Sequence, residues 1–191
     1  MAATAYLCVT GLMRLSPSSR DPRFDPARNT IAQATGSVPL FWMGLFRPGD
    51  LKRQAVRPID GGPEDAAYAL APIASVDRAM SQLTQAVPAI EALFGKQWGD
   101  VAGSVRLFSR ALLGTGLPYV TVELDEIEAG FDPLVYRERM RRVLRWFDAP
   151  DRELDKAGIL SELVTMCGVD TTALDRTMVL GSKHERAVPW E

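Results

Sequence analysis

The chain has 191 residues, 47% of them hydrophobic and 24% charged, with a formal net charge of -2. That length can bury a core without disulfide staples, and the composition excludes wholesale disorder, a fibrous repeat and any general attraction to polyanions. The longest apolar run, Val38 to Phe46, is too short to span a bilayer, and "MAATAYLCVTGLMRLSPSS" lacks a basic residue ahead of its apolar part. A cytoplasmic protein with no membrane or nucleic-acid partner is expected.

In chain order, "TAYLCVT" is rich in β-formers and predicts a strand over Ala5 to Thr10. "SPSSRDPRFDPARN" follows, and its three prolines among Ser, Asp and Arg predict an exposed loop from Ser16 to Asn29. "TGSVPLFWMGLF" fits either a buried strand or a short helix. Ser37 as N-cap and Pro39 in the first turn favour the helix. "RPGD" predicts a turn, "LKRQAV" a short strand, and "YALAPIA" a further strand pairing with it, the two joined by a loop of Gly, Pro and acids.

From Ser75, the residues Val76, Met80, Leu83, Val87, Ile90 and Phe94 recur along one helical stripe. Pro88 inside that stripe predicts a kink or two helices in series. Asp100 caps a second helix through Val101, Val105, Phe108 and Leu112, and Gly114 suits a left-handed C-terminal cap. Tyr119 to Asp125 alternates as a strand, with Val120, Val122 and Leu124 facing a core and Tyr119, Thr121, Glu123 and Asp125 on a polar side. Asp132-Pro133 then starts a helix that buries Tyr136, Met140, Val143, Leu144 and Phe147. Its other side carries Arg137, Arg141 and Arg145, with Glu138 positioned for Arg142 and Arg142 positioned to stack on Trp146. A last helix over Arg152 to Met166 and a short strand at "TMVLG" precede a polar tail. The whole reads as one α+β domain over residues 1–191, with a core over 4–166 and a C-terminal extension over 167–191. Its sheet, mixed or antiparallel, has about four to five strands packed against several amphipathic helices.

The charge is unevenly spread. Residues 1–60 hold eight Arg and Lys against four acids, and residues 61–191 hold fourteen against twenty. The acids concentrate at the end of the 119–125 strand, where Glu123, Asp125, Glu126, Glu128 and Asp132 fall within ten residues. Three readings compete there. A carboxylate pair performs general acid and base chemistry when it converges within about 5–10 Å, but such pairs ordinarily come from different elements. A calcium loop needs its glycine among the early acids and a closing Glu, and "DEIEAGFD" has neither. The third reading is a solvated or partner-facing surface. With His184 the single histidine, and Cys8 and Cys167 each among apolar neighbours, no metal site, cofactor or catalytic thiol is expected.

The order of "TAYLCVT", a variable loop, "SVPLFWMGLF", "YALAPIASVDRAMSQL", "YVTVELDEIEA" and "LRWFD" resembles small bacterial immunity-like proteins encoded beside polymorphic or type VI secretion toxins. The resemblance spans residues 4–148 and is one of apolar spacing; the extension from Asp151 lies outside it. It implies no catalysis. The implied function is that of an immunity protein, a toxin inhibitor that neutralises a cognate toxin or effector protein through stoichiometric protein–protein interaction. Glu123, Asp125, Glu126 and Glu128 would face a basic toxin cleft, and Arg20, Arg23 and Asp25 of the long loop would form a second contact. The alternatives are a small hydrolase or transferase with a site assembled from scattered polar residues, and an adaptor or chaperone that carries an effector to secretion.

Overall fold

The computed structural model describes residues 4–11, 29–35, 38–56, 67–98, 100–124, 132–148, 158, 161–162 and 180–182. Five strands, β1 (Thr4–Thr10), β2 (Thr30–Thr35), β3 (Leu51–Val56), β4 (Ala67–Ser75) and β5 (Tyr119–Glu123), make one antiparallel sheet in the order β2-β1-β5-β4-β3. Four helices are described: α1 (Leu40–Gly44), α2 (Val76–Trp98), α3 (Val101–Leu113) and α4 (Pro133–Asp148), with a 3-10 turn at Pro48–Asp50. The expected α+β class is the observed one.

β5 comes last among the strands and takes the centre of the sheet, between β1 and β4. Its apolar alternation fits that place. Leu7 pairs with Val122 and Val9 with Val120, so these side chains share one face with Ala5, Ala32, Ala34 and Ala74. Against that face pack Phe41 and Trp42 of α1, Leu83 and Ile90 of α2, Phe108 of α3, and Tyr136 and Leu144 of α4. Phe41 and Phe108 meet edge to face at 6.2 Å, a favoured arrangement of two ring quadrupoles.

β4 carries Pro72 in its interior, where a missing N–H would ordinarily break a ladder. Here the ladder changes partner at that point. Residues 67–72 of β4 pair with β3 and residues 73–75 pair with β5, so the proline sits at the changeover. The Thr121 hydroxyl donates to the Pro72 carbonyl at 2.8 Å across the junction. β3 and β4 form the hairpin expected of "LKRQAV" and "YALAPIA".

The helix boundaries follow local chemistry. α2 stays one helix through Pro88. Pro88 and Thr84, whose carbonyl a proline has no N–H to serve, both lie on the exposed side of the helix and not in the core. Asp100 caps α3 by accepting from the Gly103 amide at 2.6 Å. Gly114, expected left-handed, is right-handed at φ -64°, and the positive φ falls two residues later at Gly116, +66°. Asp132 accepts from the Leu134 and Val135 amides at 2.9 and 3.1 Å, the helix start that Asp-Pro predicts. Residues 40–44 resolve the helix-or-strand question in favour of a helix, all five residues buried. Its N-cap is Pro39, whose carbonyl accepts from Trp42 and Met43, and Ser37 lies outside the described residues.

Four further expectations are corrected. The second face of the sheet is not a solvated polar side: Cys8, Thr10, Ile73 and Thr121 on it are all buried. Burial is tolerated because the Thr121 hydroxyl has its acceptor and a free thiol behaves as a small hydrophobe. β2 lies in a stretch that the sequence reading left without a strand. Glu138 pairs with Arg141 at 2.9 Å in place of Arg142, while Arg139 and Arg142 both pair with Glu162. Trp146 is buried edge-on against Phe147 at 5.2 Å, so the helix turns Trp146 toward the core and Arg142 toward Glu162. The 152–166 helix and the "TMVLG" strand fall mostly outside the described residues. Within them, Ser182 forms a bridge to Gln33 of the edge strand β2, through amide bonds of 3.0 and 2.8 Å.

Candidate binding surface

Glu123 ends β5, half-buried and directly across from Tyr6 of β1. Two pairs further along the same ladder, and so on the same face, Cys8 stands opposite Thr121. Cys8 is wholly buried, its thiol within 3.8 Å of both the Tyr6 carbonyl and the Thr30 hydroxyl. Burial, helped by the negative charge of Glu123 and opposed by the Thr30 hydroxyl, pushes this thiol up to about 12. The thiol is therefore neutral and no nucleophile.

This has a measurable consequence. In the unfolded chain the thiol ionises near its ordinary 9.0, whereas the folded value is about 12. The unfolded state thus releases its proton first: the contribution of Cys8 is intact below pH 9 and declines as pH rises toward 12. In a Cys167→Ser background, Cys8 should react with an aromatic disulfide reagent at pH 8 roughly a thousandfold more slowly than in urea, because reaction waits on opening of the fold. Fast reaction of the native protein would mean that the second sheet face is open to solvent.

Of the other residues read as partner-facing, Asp125, Glu126 and Glu128 lie outside the described residues, as do Arg20, Arg23 and Asp25. Glu123 alone is placed, and the structure brings it to Tyr6 and Cys8. Beyond the acidic stretch the chain is described again from Asp132, which caps α4. On the first turn of that helix Leu134 and Val135 stand out, 72% and 50% exposed. Sequence reasoning passed over this pair, although the signal was present. The buried stripe of α4 runs through Tyr136, Met140, Val143 and Phe147, and positions 134 and 135 fall off it by half a turn and a quarter turn.

A second polar group of residues is interior. Arg47 is 6% exposed, and its guanidinium donates to the Gly44, Phe46 and Gln82 carbonyls at 3.1, 2.9 and 2.8 Å. Asp50, equally buried, accepts from the Arg47 amide at 2.8 Å and from Gln82 Nε2 at 3.1 Å, and pairs with Arg78 at 3.1 Å. Arg47 Nε also comes within 2.7 Å of Asp148, though not along the N–H direction, so that contact is charge attraction more than an aligned hydrogen bond. Burial lowers the Arg47 pKa, opposed by Asp148 and Asp50. Two nitrogens committed to three carbonyls leave this arginine little with which to greet a ligand. It ties α1, the 3-10 turn, α2 and the end of α4 together.

Among the described residues, no group of three or more His, Cys, Asp and Glu side chains is placed to hold a metal ion, and no helix is long and apolar enough to cross a membrane. Compared with known proteins, the chain matches no family model, no curated protein and no solved structure.

Proposed function

We propose that the chain is an immunity-type protein that neutralises a bacterial toxin by occupying it one to one, the relation expected between a polymorphic or type VI secretion toxin and its cytoplasmic inhibitor. The observation that carries this reading is the exposed Leu134–Val135 pair at the start of α4, immediately after the acid-rich stretch that opens at Glu123. Apolar anchors rimmed by charge of one sign are what a protein interface uses: desolvated apolar groups supply affinity, and the rim supplies orientation and association rate. Water gains nothing from a leucine left in its path, and a helix capped by Asp132 presents it rigidly.

The test is co-expression with the product of the adjacent gene. A one-to-one complex should form, and Leu134→Asp with Val135→Asp should weaken it by about a hundredfold or more, at unchanged thermal stability. Unchanged affinity in the double variant removes this surface from the interface, and absence of any complex removes the reading. The same exposed apolar residues also favour a second reading, an adaptor that carries an effector to secretion. The two differ in one respect: an adaptor's effector stays active within the complex, whereas the immunity reading requires its activity to disappear.

A further inference from the structure

Between α2 and α3 runs an open groove of about 530 Å³, floored by Val87, Pro88, Ala102 and Val105. Arg106 and Arg110, one turn apart on α3, stand along its edge and also line a second hollow of about 240 Å³ on their far side. Both arginines are exposed, and no ion pair among the described residues involves either of them. The ridge of α3 continues to Leu113, which is 55% exposed one turn beyond Arg110. From Ala102 to Leu113 the apolar and cationic strip is about 16 Å long, roughly three helical turns.

We propose that this groove receives an amphipathic helix of a partner protein, apolar on the side laid against Val87, Pro88 and Val105 and acidic along the edge that meets Arg106 and Arg110. The charge selects the sign of the partner: two arginines a turn apart match carboxylates spaced one turn apart on the incoming helix, and repel lysines in the same places. The openness selects its size. Small-molecule sites enclose roughly 70–90% of their ligand, whereas an open trough between two helices suits a helix face with anchors at every third and fourth residue. Two cations over an apolar floor are too few for a nucleic-acid track, which neutralises many phosphates in a row. This surface does not depend on the Leu134–Val135 interface and binds a partner segment of the opposite charge character to a basic toxin cleft.

The full chain should be titrated against a fluorescent peptide of about 16 residues, helical, with leucines at three- and four-residue spacing and glutamates along one edge, followed by anisotropy. The expected result is saturable binding that weakens about tenfold or more with Arg106→Glu plus Arg110→Glu, and again between about 50 and 300 mM salt. Ala102→Trp, which fills the trough from an exposed position, should weaken it too, while Leu134→Asp plus Val135→Asp should not. The proposal is overturned by equal binding of a lysine-edged or scrambled peptide, by indifference to the arginine reversals, by loss in the Leu134/Val135 variant, or by no saturation below about 100 µM. Self-association of the chain that Arg106→Glu abolishes would assign the groove to a second copy and overturn it equally.

Discussion

Replacing Arg47 by alanine should lower the stability of the fold by about 3–5 kcal/mol, the largest loss expected from any single polar side chain described. The loss does not come mainly from the Asp148 contact, since that carboxylate is half exposed and its attraction is screened. It comes from the interior. Without the guanidinium, the carbonyls of Gly44, Phe46 and Gln82 lose their donor where water does not readily replace it, and Asp50 loses a nearby positive charge. Asp50→Ala should cost a similar amount, because it strands Gln82 Nε2 and the Arg47 amide together. The double variant should cost less than the two singles added, the mark of residues acting as one unit. Urea unfolding measures all three. Arg141→Ala, which breaks only the surface pair with Glu138, is the control and should shift stability by about 0.5 kcal/mol or less.

Gly181→Ala should destabilise by about 2–5 kcal/mol, the sum of a left-handed backbone penalty and overpacking. The residue has φ +86°, and a Cβ there would come 2.6 Å from Trp42 Cζ2 and 3.2 Å from Ala32 Cβ and the Gln33 carbonyl. Neither side can yield easily. Trp42 is fully buried and its Nε1 donates to the Leu180 carbonyl at 2.9 Å, while Gln33 is held by two amide bonds to Ser182. Trp42→Phe lowers stability by itself but should recover part of the Gly181→Ala loss, because the smaller ring leaves room for the methyl group. Gly49→Ala, where nothing lies within 4 Å of the added carbon, should be close to neutral. A Gly181→Ala protein as stable as the parent would show that the 180–182 segment does not seat against Trp42.

What could be read from the sequence was what is local. The period-two pattern of Val120 and Val122, the three-to-four spacing from Val76 to Ile90, and the Asp132-Pro133 start each depend on neighbours along the chain, and each appears where expected. β2 escaped notice because Ala32, Gln33 and Ala34 have little β-propensity of their own. Its strand character comes from pairing with β1 and from Ser182, far away in sequence. The Arg47 network was invisible for the same reason: "RPGD" announces a turn, but nothing local says that its arginine and aspartate point inward to meet Gln82. The strand expected at "YALAPIA" is present, but its change of partner from β3 to β5 at Pro72 could not be read from local pattern. At the candidate surface, the acidic run was conspicuous and the apolar pair beside it was not, since Leu134 and Val135 look like core residues until their phase on α4 is compared with that of Tyr136 and Met140.

The central claim is that the protein acts by occupying another protein, and a titration of toxin activity against molar ratio tests it most directly. With the purified product of the neighbouring gene held constant, activity should fall in a straight line and reach zero at one equivalent of this chain. Silencing of many toxin molecules by one molecule of this protein, or full activity at equimolar ratio, would contradict it.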